Sequence, residues 1–203
     1  MRIKMCGLRR AEDVEAVNRL RPDDIGFVFA PASRRAVTPA EAARLRALLS
    51  PGIRAVGVFV DEDPDTVAGL LRDGVIDAAQ LHGHEDAAYL AALRRRTDRP
   101  LIQAFRLRTP ADTAAAMASP ADLLLLDGGA GDGKRLEERL LAEANRPYYL
   151  AGGLTPENVA DIVRRLRPWG VDVSSGIETD GFKDPVRMEA FMRAARAGTG
   201  GNE

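Results

Sequence analysis

The stretch Val171-Asp172-Val173-Ser174-Ser175-Gly176 decides the fold. Alternate residues of a β-strand face opposite sides, so Val171 and Val173 share one face while Asp172 and Ser174 share the other. Two other stretches repeat the pattern: Ile3 and Met5 stand opposite Lys4 and Cys6, and Ala79 and Leu81 stand opposite Gln80 and His82. An open sheet with helices on both faces would bury those polar groups without partners, which is costly. In a closed barrel one face of each strand packs on helices and the other points inward. Polar inward residues near C-terminal strand ends are where barrel enzymes place their chemistry.

Outward from these stretches, short apolar β-like runs alternate with longer amphipathic segments, and no Pro/Gly/Ser-rich linker interrupts them. Strands are expected over 2–6, 24–29, 53–60, 77–81, 101–106, 122–127, 147–151 and 170–174, each followed by a helix. This predicts an α/β chain forming a single-domain (β/α)8 TIM barrel over residues 1–197, with 198–203 a frayed tail that lacks an apolar anchor. The 203 residues sit at the lower limit of roughly 200 for that architecture. Thr38-Pro39 and Thr155-Pro156 each pair an N-cap hydroxyl with proline at the first helical position, so helices are expected to begin there.

Hydrophobic residues at 45%, charged residues at 29% and a net charge of −1 exclude a disordered chain and a polycationic nucleic-acid binder. The run Arg94-Arg95-Arg96, followed by Asp98, reads as a solvated helix end. A single cysteine forms no internal disulfide and no metal-spaced pair, which argues against a secreted scaffold or a structural zinc site and for a reducing cytoplasm. With neither a signal-peptide apolar region nor a long apolar run, no membrane partner is expected. Nothing marks an interface, so a monomer or homodimer is expected.

Leu150-Ala151-Gly152-Gly153-Leu154-Thr155-Pro156 ends strand 7 in paired glycines, which allow backbone N–H groups to approach an anion. Ser174-Ser175-Gly176-Ile177-Glu178 makes a second turn of small residues after strand 8. Loops after strands 7 and 8 are the usual phosphate site of barrel enzymes, so a small phosphorylated molecule is the expected partner.

Cys6 closes strand 1 at the barrel mouth. A lone cysteine is commonly a small buried hydrophobe, but here Lys4 shares its inward face, and an ammonium nearby is expected to lower the thiol pKa. Lys4 equally suits an ion pair with Asp172, since strands 8 and 1 adjoin in a closed barrel. Asp127 follows Leu123 to Leu126 at the end of strand 6, where desolvation would raise a carboxyl pKa and suit a general acid. An Asp capping the next loop fits that position equally well. His82, inward but without an acidic partner in sequence, and Gln80 read as cavity-lining groups. Arg35 in the loop after strand 2 offers a planar fork for a carboxylate, or is a solvated loop arginine.

The ordered set Lys4-Met5-Cys6-Gly7-Leu8, Gly26-Phe27-Val28-Phe29, Ser33-Arg34-Arg35, Gln80-Leu81-His82-Gly83, Leu126-Asp127, Ala151-Gly152-Gly153-Leu154 and Val171 to Glu178 resembles the phosphoribosylanthranilate isomerase family over essentially the whole chain. Lys183 and Asp184 match that family's Gly-x-Lys-Asp segment. The resemblance implies an Amadori rearrangement in tryptophan biosynthesis, with Asp127 as acid, Cys6 as base and no metal or cofactor. It further implies that Arg35 meets the anthranilate carboxylate and that Gly153, Ser175 and Gly176 hold phosphate. Related phosphosugar barrels with paired aspartates differ from this chain at Cys6, and a barrel that binds phosphosugar without turnover would be expected to lack Cys6 or Asp127. The family's Gly-Gly-Thr-Gly-Lys segment after strand 6 is replaced here by Gly128-Gly129-Ala130-Gly131-Asp132-Gly133-Lys134, so no closing role is carried over for it.

Overall fold

The computed structural model describes residues 1–128, 138–141 and 143–200. Strands and helices alternate: β1 (Arg2–Cys6), α1 (Ala11–Leu20), β2 (Asp24–Val28), α2 (Pro39–Leu48), β3 (Arg54–Phe59), α3 (Pro64–Arg72), β4 (Ala78–Leu81) and α4 (Ala87–Arg94). There follow β5 (Leu101–Arg106), α5 (Pro110–Ala118), β6 (Leu123–Asp127), α6 (Glu138–Leu141), β7 (Tyr148–Ala151), α7 (Val159–Leu166) and β8 (Gly170–Val173). A short hairpin, β9 (Glu178–Thr179) and β10 (Phe182–Lys183), precedes α8 (Pro185–Thr199). The first eight strands pair in parallel, each with the next, and β8 closes on β1, giving a (β/α)8 TIM barrel. Among the described residues no helix is long and apolar enough to cross a membrane.

Strand parity sorts the residues as the alternation requires. Ile3, Met5, Ile25, Phe27, Val171 and Val173 face outward into a continuous core shared with the helices. Val56, Ala78, Ile102, Leu125 and Tyr149 fill the barrel itself. Burying each large aliphatic side chain contributes about 1.5–3 kcal/mol, so the barrel interior is a packed plug and not a channel. Above that plug the inward positions open into a cavity. Register sets the site: Lys4 pairs across to Asp172, and Cys6 lies beside Gly26.

Six of the expected strands are a residue shorter at one or both ends, and two helix boundaries differ from the sequence expectation. Thr38 caps α2 as expected, accepting from the Glu41 N–H at 3.2 Å while Glu41 returns a bond to the Thr38 N–H at 2.7 Å. Thr155-Pro156, however, opens a turn, and α7 begins at Val159. Asn158 explains the delay: its side chain bonds the Thr155 N–H at 2.8 Å and the Gly153 carbonyl at 2.9 Å, holding a preceding turn. At the other end α8 runs through Gly198 and Thr199, which composition had placed in the tail. Gly198 packs against α7 so tightly that a Cβ would lie 2.8 Å from the Ala160 carbonyl oxygen. Residues 201–203 lie outside the described residues, as does the Gly129–Arg135 segment whose sequence departs from the family pattern.

Candidate active site

A cavity of about 1020 Å³ opens at the C-terminal ends of the strands. Cys6, Arg35, Gln80, His82, Asp127 and Asp172 line it, and so do Gly152, Gly153, Ser174, Ser175 and Gly176. Lys4 is the one sequence-derived site residue that does not reach the wall. It is fully buried beneath Cys6, its ammonium 2.9 Å from the Asp172 carboxylate. Burial disfavours the Lys4 charge, but Asp172 and Cys6 more than offset it, so its pKa is raised and it stays charged.

The expected effect of Lys4 on Cys6 is reversed in sum. Burial pushes the thiol pKa up, and the opposing pull of the Lys4 and Lys183 ammonium groups is insufficient to bring it below its ordinary value. Asp172 adds to the upward push. Cys6 is therefore a thiol at neutral pH, and a thiolate needs further positive charge. Asp127 ends β6 on the opposite wall, partly open to the cavity.

His82 lies between them in chemical character. Burial lowers its pKa despite Asp127 and Asp172, so the ring is neutral. The Gln80 amide nitrogen sits 3.1 Å from His82 Nδ1. An amide NH₂ only donates, so Nδ1 accepts and the ring proton sits on Nε2. The other end of that amide, Gln80 Oε1, is a buried acceptor with no hydrogen-bond partner among the described residues.

The two turns expected to hold phosphate form as the glycines permit. Gly152 and Gly153 both take positive φ, 98° and 64°, a backbone conformation that glycine adopts without the strain a Cβ would add. Gly176 lies against the Leu154 carbonyl so closely that a Cβ there would sit 1.9 Å from the oxygen. That contact joins the loops after β7 and β8 into one rim. Ser175–Ile177 is a single 3₁₀ turn whose first N–H groups have no partner within the turn.

Arg35 is already engaged. Its Nε donates to Glu178 Oε1 at 2.6 Å and its Nη2 to Glu178 Oε2 at 2.8 Å. Glu178 also receives Lys183 at 2.7 Å and Arg34 at 3.1 Å. Burial alone would raise its pKa, but Arg35 and Lys183 hold it down at about 2. Sequence reading quoted Glu178 and Lys183 within motifs without giving them a place in the site. The signal was the turn Asp180-Gly181, both residues with positive φ, since Asp-Gly between short extended runs marks a two-residue hairpin. Arg106 also lines the cavity and was missed; Ile102, Ala104 and Arg106 share the inward parity of β5.

A thiol and a carboxyl group lining one cavity at the C-terminal strand ends, with glycine-containing turns after β7 and β8, place the chain with enzymes built on the barrel fold. The family model described as N-(5'phosphoribosyl)anthranilate (PRA) isomerase matches residues 3–194, and the chain belongs to that family. The N-(5'-phosphoribosyl)anthranilate isomerase of Endomicrobium trichonymphae is 43% identical over 201 residues, covering 97% of this chain and 98% of the relative. The crystal structure of phosphoribosyl anthranilate isomerase from Thermus thermophilus superimposes with a TM-score of 0.85 at 36% identity, covering 97% of this chain and 99% of that one. A phosphoribosyl anthranilate isomerase solved with reduced 1-(o-carboxyphenylamino)-1-deoxyribulose 5-phosphate gives 0.86 at 32% identity, with 97% and 98% covered.

Proposed function

We propose that the chain converts N-(5-phosphoribosyl)anthranilate to 1-(2-carboxyphenylamino)-1-deoxyribulose 5-phosphate, the aldose–ketose isomerisation of tryptophan biosynthesis, using its own side chains alone. The observation that carries this reading is the placement of Cys6 and Asp127 on opposite walls of one cavity whose rim is formed by the paired glycine turns. Asp127 gives a proton to the ribose ring oxygen as the nitrogen lone pair opens the ring, leaving a cationic iminium. Cys6, as the thiolate, then removes the proton from C2; the C–H electrons form a C1=C2 double bond and the C=N π electrons move onto nitrogen, giving a neutral enolamine. Protonation at C1 and loss of the C2 hydroxyl proton complete the ketone, with no net oxidation or reduction.

The raised thiol pKa fits this sequence. The iminium places a positive charge next to Cys6 at the step where a thiolate is needed, and a cation at that distance favours the charged thiolate. Asp172 holds Lys4 in position beneath the thiol. Neutral His82, with its Nε2–H, supplies a donor to a substrate oxygen, and Gln80 Oε1 supplies an acceptor. The free N–H edge of Arg35 takes the anthranilate carboxylate, while Gly152, Gly153, Ser174, Ser175 and Gly176 hold the phosphate. A base that must remain an unoxidised thiol suits a reducing compartment, which supports a cytoplasmic location, and the protein works as a monomer or homodimer.

The test is loss of substrate fluorescence when purified protein meets freshly generated phosphoribosylanthranilate without added metal or cofactor. Turnover that vanishes in Cys6→Ala is expected. Turnover that persists in that variant, or no turnover by the parent protein, overturns the reading.

A further inference from the structure

We propose that Glu178 is a positioning residue for substrate: from outside the cavity it clamps one edge of Arg35 and so presents the other edge to the carboxylate of the bound aromatic ring. This inference rests on the assignment of Arg35 to that carboxylate. A guanidinium carries five N–H donors in a planar fork. Glu178 takes two of them, one on Nε and one on Nη2, at 2.6 and 2.8 Å. The three that remain lie on the Nη1 and Nη2 end, so Arg35 keeps a two-point edge for a second carboxylate.

The clamp is held from behind. Glu178 begins β9, and the hairpin it belongs to is fastened to the loop after β1. The ring of Phe182 lies under the guanidinium groups of both Arg9 and Arg10, 4.4 and 4.7 Å from ring centroid to guanidinium carbon. Arg9 donates to the carbonyls of Gly181 at 3.0 Å and Arg34 at 2.9 Å, and Arg10 donates to that of Lys183 at 3.0 Å. Asp13 fixes Arg10 in turn at 2.7 Å. On the other side of Arg35, its Cδ rests over Gly7, where a Cβ would approach to 2.5 Å. Arg35 is thus pinned by the hairpin on one side and by bare backbone on the other.

Glu178 stays in place when substrate arrives. Its side chain is 5% exposed and is shared by Arg34, Arg35 and Lys183. Swinging it out would leave Lys183, 1% exposed, without its carboxylate. One carboxylate among three cations also leaves an excess of positive charge facing a substrate that carries a carboxylate and a phosphate.

The experiment compares two ligands by calorimetric titration: reduced 1-(2-carboxyphenylamino)-1-deoxyribulose 5-phosphate, and the same molecule with an unsubstituted phenyl ring. In Glu178→Gln the carboxylated ligand is expected to bind about tenfold more weakly, a loss the size of one charge-assisted hydrogen bond. The unsubstituted ligand should hold within about twofold, the scatter of unrelated contacts. KM should rise by about the same tenfold with a smaller change in kcat, as for loss of uniform binding. Glu178→Gln combined with Arg35→Met should be no worse than Arg35→Met alone. Equal weakening of both ligands makes Glu178 merely structural and overturns the proposal, and tighter binding of the carboxylated ligand makes it a competitor and also overturns it. If Arg35→Met fails to separate the two ligands, the Arg35 assignment itself falls.

Discussion

Two charged clusters occupy opposite ends of the same barrel. At the N-terminal end Asp24 is wholly enclosed and receives Arg54 at 2.5 Å, Arg2 at 3.3 Å and the Tyr149 hydroxyl. Trp169 closes the cluster, its ring 5.5 Å from the Arg2 guanidinium and edge-on to Tyr149. At the C-terminal end Lys4 and Asp172 make an equally buried pair, but the groups above it face about 1020 Å³ of open cavity, and Gln80 Oε1 has no partner among the described residues. Both ends are polar; only one leaves hydrogen-bonding capacity unspent. A polar cluster that closes on itself serves the fold, and one that stays open is available to a ligand.

The widest separation of the two ends is expected from removing one group at each and reading activity and stability together. Cys6→Ala and Asp127→Asn should each lower kcat by about 10³-fold or more, the range for loss of a general base or acid, with urea midpoints near that of the parent. Asp24→Asn should do the reverse. Breaking a buried ion pair costs about 3–5 kcal/mol, and because Arg2 and Arg54 can turn partly to solvent the lower end applies, read as a shifted denaturation midpoint with kcat per folded molecule unchanged. A large kcat loss in Asp24→Asn, or a large stability loss in Cys6→Ala, would break the distinction.

The pH profile provides a smaller effect. The base is needed as thiolate and burial raises its pKa, so in Asp127→Asn, where the acid no longer titrates, the residual kcat/KM, which reports the free enzyme, should climb with pH through neutrality and beyond the ordinary thiol range. Asp172 contributes to that rise, and Asp172→Asn leaves the Lys4 ammonium less neutralised. The ascending limb should therefore move to lower pH. Asp24→Asn should leave the limb where it is. A profile flat from pH 6 to 10 would remove Cys6 as the titrating base.

How much of this was legible in sequence follows from the range of each signal. Strand parity is local, and so the alternations in 2–6, 78–82 and 170–174 disclosed the barrel and its inward groups. The Thr38 cap is local as well and was placed correctly. Thr155-Pro156 carries the same signature, yet Asn158 diverts the Thr155 and Gly153 backbone into a turn, a competition that the cap pattern does not include. The sign of the Cys6 shift was misread because adjacency to Lys4 is visible in sequence while burial by strands far away in the chain is not. Glu178 escaped for a related reason: its meaning lies in Arg35, 143 positions away.

The smallest effect asks whether unspent hydrogen-bonding capacity can be measured directly. Tyr149→Phe at the closed end removes a donor to Asp24 and should cost about 1–2 kcal/mol, the penalty for a buried acceptor that loses one partner. Gln80→Leu at the open end removes a buried acceptor that has no partner to lose. It also removes the donor to His82 Nδ1, so the two changes nearly cancel, and stability should stay within about 1 kcal/mol of the parent. Activity should run the other way, unchanged in Tyr149→Phe and reduced in Gln80→Leu, where substrate loses an acceptor and His82 loses the bond that fixes its tautomer. Denaturation and kcat/KM measured on the same two samples decide it. If Gln80→Leu destabilises as much as Tyr149→Phe, the amide is part of the fold, and the open end of the barrel is more nearly closed than its geometry indicates.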